Sequence, residues 1–439
     1  MTDDKQNRPA TLSEFFFPPE PCSVEDTGLS LGFLSDLALK LLYFRGYISG
    51  AEVAEQMRLP FTGVIEQVLE FLKRDLMCEI KGSGGFGRSA YEYTITAKGI
   101  ARAREVLDRG QYVGPAPVPL ADYATGIRQQ PMLTTSIREQ QMRRSLSHLV
   151  VDTEMMEMLG PAVNSGRSIF LYGAPGNGKT AMAESIGNMV LGDEMYVPYA
   201  VEVGGMVIKV FDEVNHRPMP ELPSANANGK PGRPRHDRRW IRIRRPVIMT
   251  GGELTLETLD LVWDDVSKYY EAPFQMKANG GMFLIDDFGR QQVRPRDLLN
   301  RWVVPLEKRY DYLTLHTGLK IEVPFEVLIV FSTNLEPRDL VDEAFLRRIR
   351  HKIEVGDPSY DTYREIMARV CAQRDVAFDE EGLRYLLHEY YIKPDSPLRA
   401  CHPRDLVDEI IDIARYKNIR PALNKELIDR ACKAYFVEL

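Results

Sequence analysis

One octapeptide constrains this chain more than any other feature. Gly173-Ala174-Pro175-Gly176-Asn177-Gly178-Lys179-Thr180 follows the apolar run Ser168–Tyr172 and precedes a helical stretch starting at Ala181. It matches G-x-x-x-x-G-K-[ST] in the strand–loop–helix setting the motif requires. The glycines let the backbone turn so that successive N–H groups converge on phosphate oxygens. The helix start at Ala181 adds a favourable partial charge. Lys179 can reach the β- and γ-phosphates, and Thr180 offers a hydroxyl to Mg²⁺. A glycine-rich turn matching by chance is the competing reading, and the flanking pattern speaks against it. ATP with Mg²⁺ is the expected ligand, and short apolar strands alternating with helices imply a parallel α/β sheet.

Three further segments extend the site. Met282-Phe-Leu-Ile-Asp286-Asp287 is an apolar strand ending in two acids, similar to a Walker B motif. Asp286 would hold the cation. Asp287 would orient and activate the attacking water. Glu326–Phe331 is a third apolar strand, closing on Ser332-Thr333-Asn334. Asp342–Val355 carries the basic trio Arg347, Arg348 and Arg350, and His402-Pro403-Arg404-Asp405 opens a helix. An Asn closing a strand is also a common turn residue, and exposed arginines are commonly solvated.

Taken together, these motifs resemble the AAA+ family of P-loop ATPases over roughly residues 145–437. That resemblance implies Asn334 as sensor 1, Arg347 or Arg348 as an arginine finger with Arg350 behind them, and Arg404 as sensor 2. It also implies a homo-oligomeric ring, usually hexameric. The family's second acid is usually Glu, and the Asp at 287 is one methylene shorter. Leu313–Val323, the helix Pro295–Arg309 and Pro324-Phe325-Glu-Val resemble the hairpin insert of the MoxR-like and ClpX-like branches.

The chain divides by composition. Residues 1–28 hold Pro18, Pro19 and Pro21 and read as a flexible arm. Residues 29–109 read as helix, helix, helix, hairpin, helix, the order of a winged helix, with Phe61–Arg74 as third helix and Gly82–Gly87 as wing. Residues 110–130 are proline-bearing and read as a linker. Residues 131–357 form the P-loop core, with 219–246 as a basic surface insertion, and 358–439 a helical lid. The expected fold is therefore α/β: an AAA+ P-loop parallel sheet with a C-terminal helical lid, preceded by a small α+β winged-helix domain.

Partners are less constrained. The insertion around Gly229–Pro246 could grip nucleic-acid phosphates or be a solvated loop and edge strand, and the two readings weigh evenly. Tyr269, Tyr270 and Phe274 could line a pore, though core packing is the favoured reading. Phe61–Arg74 carries Glu66 and Glu70 against Lys73 and Arg74, which favours a protein-docking winged helix over a DNA-reading one. The leading expectation is a ring-forming remodeller of a protein partner. The alternatives are a DNA-associated ATPase and a weakly hydrolysing nucleotide switch.

The net charge of −7 argues against a globally basic nucleic-acid coat. The five cysteines are scattered and signal neither a disulfide framework nor a zinc site. Residues 1–21 lack the apolar stretch of a signal peptide, and no apolar run reaches the ~20 residues of a membrane span. A cytoplasmic protein without membrane insertion is expected.

Overall fold

The computed structural model describes residues 16–132, 137–190, 192–220, 235–340 and 346–436. Its central sheet has five parallel strands: β1 (Ser168–Tyr172), β2 (Val247–Thr250), β3 (Met282–Ile285), β4 (Leu328–Ser332) and β5 (His351–Glu354). They lie side by side in the order β2-β3-β4-β1-β5. These strands are runs of large apolar residues because both faces are covered.

Alternation along β1 shows the two layers. Ile169 and Leu171 pack with Leu159, Met182 and Ile186 from helices Thr153–Asn164 and Lys179–Val190. Phe170 points the other way, to Phe283, Phe331 and Trp302, the last lying between helices Pro295–Arg301 and Val303–Lys308. A period of two along a strand produces this division. The C-terminal domain has its own core of helices Tyr360–Gln373, Glu380–Leu387, His402–Tyr416 and Lys425–Tyr435.

Residues 31–109 run helix Leu31–Arg45, strand Tyr47–Ser49, helix Gly50–Met57, helix Glu66–Arg74, strands Cys78–Ser83 and Tyr91–Ile95, and helix Ala97–Arg109. The three strands form an antiparallel sheet with Tyr91–Ile95 in the middle. Two details differ from the sequence reading. Tyr47–Ser49 is a strand, where only a break between helices was expected. The third helix is kinked at its start, where Thr62 and Gly63 leave helical geometry (Gly63 φ +86°). A Cβ at Gly63 would stand 2.1 Å from the Cys22 carbonyl oxygen, so this close approach needs glycine.

Three segments are more ordered than expected. Of the 1–28 arm, residues 1–15 lie outside the described residues. Residues 16–28 are packed: Phe16 meets Trp240 edge-on at 5.3 Å, and the Thr27 carbonyl accepts from Arg239 at 2.8 Å. The 110–130 stretch is no free linker. It supplies strand Val118–Pro119 and helix Leu120–Arg128, which buries Tyr123 and Ile127. Half of the 219–246 insertion, residues 221–234, lies outside the described residues. Its end is strand Trp240–Arg244, paired antiparallel with Glu194–Pro198. Arg239 is buried in a bidentate pair with Asp237 at 2.8 Å, and Arg245 is buried donating to the carbonyls of Gln130, Pro131 and Gly280. Buried guanidinium groups persist only with such partners.

A second β layer gathers remote pieces. Val262–Trp263, Tyr270–Glu271, Met206–Lys209, Ala200–Val203 and Val118–Pro119 form one mixed sheet. Tyr310–Thr314 and Lys320–Pro324 form the expected hairpin. Tyr270 is 1% exposed in this layer, so it packs there and is not presented to solvent.

Candidate functional site

β3, β4 and β1 are neighbours and parallel, so their C-terminal ends meet on one edge of the sheet. This is where an open α/β sheet offers a crevice. The phosphate loop follows β1. Gly173, Gly176 and Gly178 all adopt positive φ (+130°, +83° and +86°). At Gly173 an added Cβ would lie 2.5 Å from the Val355 carbonyl oxygen, so the loop's entry is sterically closed to other residues.

Lys179 opens the helix that follows. It is 6% exposed, and its Nζ donates to the carbonyls of Gly173 and Ala174, both at 2.9 Å. Burial holds its pKa below the ordinary lysine value, while the charges of Asp286 and Asp287 oppose that shift. Thr180 Oγ1 lies 3.1 and 3.0 Å from the two carboxylate oxygens of Asp286. The acidic turn is fixed to the end of β4: Phe288 N donates to the Ser332 carbonyl (2.7 Å), and Thr333 Oγ1 to that of Phe288 (2.6 Å). Asp287 is exposed in a left-handed conformation (φ +49°), and Asn334 Nδ2 donates to its Oδ1 at 3.2 Å.

The lid closes the crevice from above. Cys401 N donates to the Gly176 carbonyl (2.9 Å) and Ala400 N to Asn177 Oδ1 (3.2 Å). Arg404 lines the same cleft of about 450 Å³, exposed and paired with Asp405 at 3.1 Å. Pro175 and Ala181 line it too. The cleft also has a wall that sequence reasoning missed: His148, Leu149 and Val150 before the sheet, and Ile366, Val370 and Gln373 on the first lid helix. No local motif marks these residues; a spacing of four and three on an amphipathic helix is the only signal they carry.

The basic trio is elsewhere. Ser168 Oγ, at the opposite end of β1, donates to the Arg348 carbonyl (3.4 Å) and accepts from Arg350 N (3.2 Å). β1 has 5 residues and rises ~3.3 Å per residue, so the trio is separated from the phosphate loop by roughly the length of that strand, about 16 Å. Arg347, Arg348 and Arg350 line a cavity there with Arg167, Lys352 and Glu307, and Arg348 Nε donates to Glu307 at 2.6 Å.

The sheet, loop and capping helices make this a P-loop α/β protein with a helical C-terminal domain. Residues 359–434, the helical domain, match a sequence family described as a domain of unknown function, DUF8689. Among solved structures, a mutant RuvB of Thermotoga maritima is 13% identical with a TM-score of 0.40, covering 68% of this chain and 74% of its own. NtrX from Brucella abortus in complex with ADP is 14% identical with a TM-score of 0.38, covering 75% of this chain and 65% of its own. At these scores the likenesses carry no weight for function.

Proposed function

We propose that this protein binds ATP with Mg²⁺ and hydrolyses it, as a ring-forming ATPase of the AAA+ kind. The observation that carries the reading is the meeting of Lys179, Thr180, Asp286, Asp287 and Asn334 at one sheet edge beneath a helical lid. The loop N–H groups and Lys179 bind the phosphates. Thr180 and Asp286 present hard oxygen donors close together, which fits Mg²⁺. Mg²⁺ would neutralise charge on the phosphates. Asp287, oriented by Asn334, accepts a proton from the attacking water. Arg404 supplies lid charge toward the phosphates.

The trio Arg347, Arg348 and Arg350 lines a cavity that shares no residue with the cleft. A finger among them therefore serves a neighbouring subunit, which supports a homo-oligomer, with a hexamer as the expected ring. The hairpin Tyr310–Pro324 supports a MoxR-like or ClpX-like relationship.

For the substrate we favour a protein over nucleic acid. Arg88 at the wing is tied to Glu66 and Glu70 of the third helix at 2.8 and 3.0 Å, leaving acid where DNA would bind a winged helix. In the basic segment, Arg238 pairs with Glu55, Arg239 with Asp237 and Arg242 with Glu194. Among the described residues no helix is long and apolar enough to cross a membrane; a cytoplasmic location belongs to this proposal. Steady-state hydrolysis, followed across protein concentration with and without duplex DNA, tests the whole. The expected result is specific activity rising with concentration and indifferent to DNA. Strong DNA stimulation would overturn the protein-substrate reading, and tight binding without turnover would leave only a nucleotide switch.

A further inference from the structure

Asn177 stands inside the phosphate loop, yet its side chain turns away from it. It is 4% exposed, and both ends of its amide are used. Nδ2 donates to Asp357 Oδ1 at 2.7 Å, and Oδ1 accepts from Ala400 N at 3.2 Å. Asp357 lies between β5 and the first lid helix, Tyr360–Gln373, where the chain leaves the sheet. The same Asp357 oxygen holds the guanidinium of Arg399. The Gly176 carbonyl accepts from Cys401 N at 2.9 Å, and a Cβ on Gly176 would meet Cys401 Sγ at 2.6 Å.

Two chain segments thus converge on two loop residues: the turn at Asp357, and residues 399–401 leading into helix His402–Tyr416 with Arg404. These bonds use the Asn177 amide and the Gly176 carbonyl. They leave the loop N–H groups and the Lys179 ammonium for phosphate. A loop that tightens on phosphate would carry the Asp357 turn and the head of the lid helix with it, through hydrogen bonds of 2.7, 2.9 and 3.2 Å.

We propose that Asn177, Asp357 and Arg399 form a latch that makes lid position follow occupancy of the phosphate loop. It rests on the ATP reading given above. Asp357 and Arg399 are positioning residues. They act through the lid, bringing Arg404 to the cleft, and do not touch the reacting atoms.

The test is hydrogen exchange of residues 399–416 in the full chain, with and without ATP and Mg²⁺, beside nucleotide titrations and melting curves. In the wild type, ATP should slow exchange there by about tenfold or more. Asp357→Ala should bind ATP within about threefold of wild type, lose that protection, and lower kcat by about tenfold with little change in KM. Arg399→Ala should do the same if the first variant is unstable. Asn177→Ala, which removes the bonds to both Asp357 and Ala400, should also lose the protection. Equal protection in wild type and Asp357→Ala, or none in an ATP-bound wild type, would overturn the latch. A fall in ATP affinity beyond about tenfold in Asp357→Ala would overturn it too, by making Asp357 part of the loop's own fold. Failure of the wild type to bind ATP would sink the function itself.

Discussion

Gly173→Ala puts the proposed phosphate loop to a steric test. A non-glycine residue at φ +130° costs about 1–2 kcal/mol. The new Cβ would also lie 2.5 Å from the Val355 carbonyl oxygen and 3.2 Å from its carbon. These are backbone atoms just beyond β5, and Val355 N is itself bonded to the Tyr172 carbonyl at 2.7 Å. They cannot swing aside as a side chain would, and overpacking of this kind costs about 1–3 kcal/mol. The loop relieves the strain by leaving the conformation in which its N–H groups converge, so the cost falls on ATP binding. A total of about 2–5 kcal/mol raises Kd by at least ~30-fold. Gly160→Ala is the control. Gly160 lies inside helix Thr153–Asn164, with nothing within 4 Å of an added Cβ. That change should stabilise the fold by about 0.5–1 kcal/mol and leave ATP affinity unaltered. Calorimetric titration with ATP and Mg²⁺, beside thermal melts, reads both. Wild-type affinity in Gly173→Ala at an unchanged Tm would refute the reasoning.

Other perturbations reach other parts of the account. Asp287→Asn keeps the side chain's shape and an oxygen for Asn334, so binding should persist while single-turnover hydrolysis drops ~10²–10⁴-fold; normal turnover would move the base elsewhere. Arg347→Ala and Arg348→Ala are expected to hydrolyse poorly alone and to recover when mixed with Lys179→Ala subunits, which lend an arginine to an intact cleft. No recovery in any mixture would confine the trio to a structural role. Lys40, buried and donating to the Gly110 carbonyl at 2.8 Å, is brought down to about 8 by desolvation, against the opposing charge of Asp36. The folded state then binds fewer protons than the unfolded chain between the two pKa values, so this residue's penalty is full below pH 8 and is relieved as pH rises toward 10.5. The Tm difference between wild type and Lys40→Met should therefore shift in favour of wild type across that window; a difference independent of pH would contradict it.

What could be read from the sequence was local. The phosphate loop declares itself in eight consecutive residues, and the acidic strand end and the four lid helices are contiguous patterns with ordinary periodicity. What could not be read depends on partners far along the chain. Phe16 finds Trp240, Arg239 reaches the carbonyls of Thr27 and Pro117, and a two-residue strand at Val118 joins a sheet whose other strands begin 80 residues later or more. The prolines of 110–130 suggested a linker because burial of Tyr123 and Ile127 is decided by what covers them. The arginines near 240 read evenly as a grip for nucleic-acid phosphates or as a solvated loop and edge strand, for the same reason. Asp237 and five backbone carbonyls, invisible as a pattern, take Arg239 and Arg245 into the interior. Gln373 lines the cleft only because the lid folds back over the sheet, and His148 because its segment packs beside Ser185 of the helix after the loop.

ATP binding is the central claim, and the most direct measurement is the calorimetric Kd of the purified wild type with Mg²⁺ beside that of Lys179→Ala. The account predicts saturable binding of one nucleotide per chain that the variant loses, because the phosphates lose the ammonium held at the loop's mouth. No binding by the wild type, or equal affinity in the variant at an unchanged Tm, would contradict it.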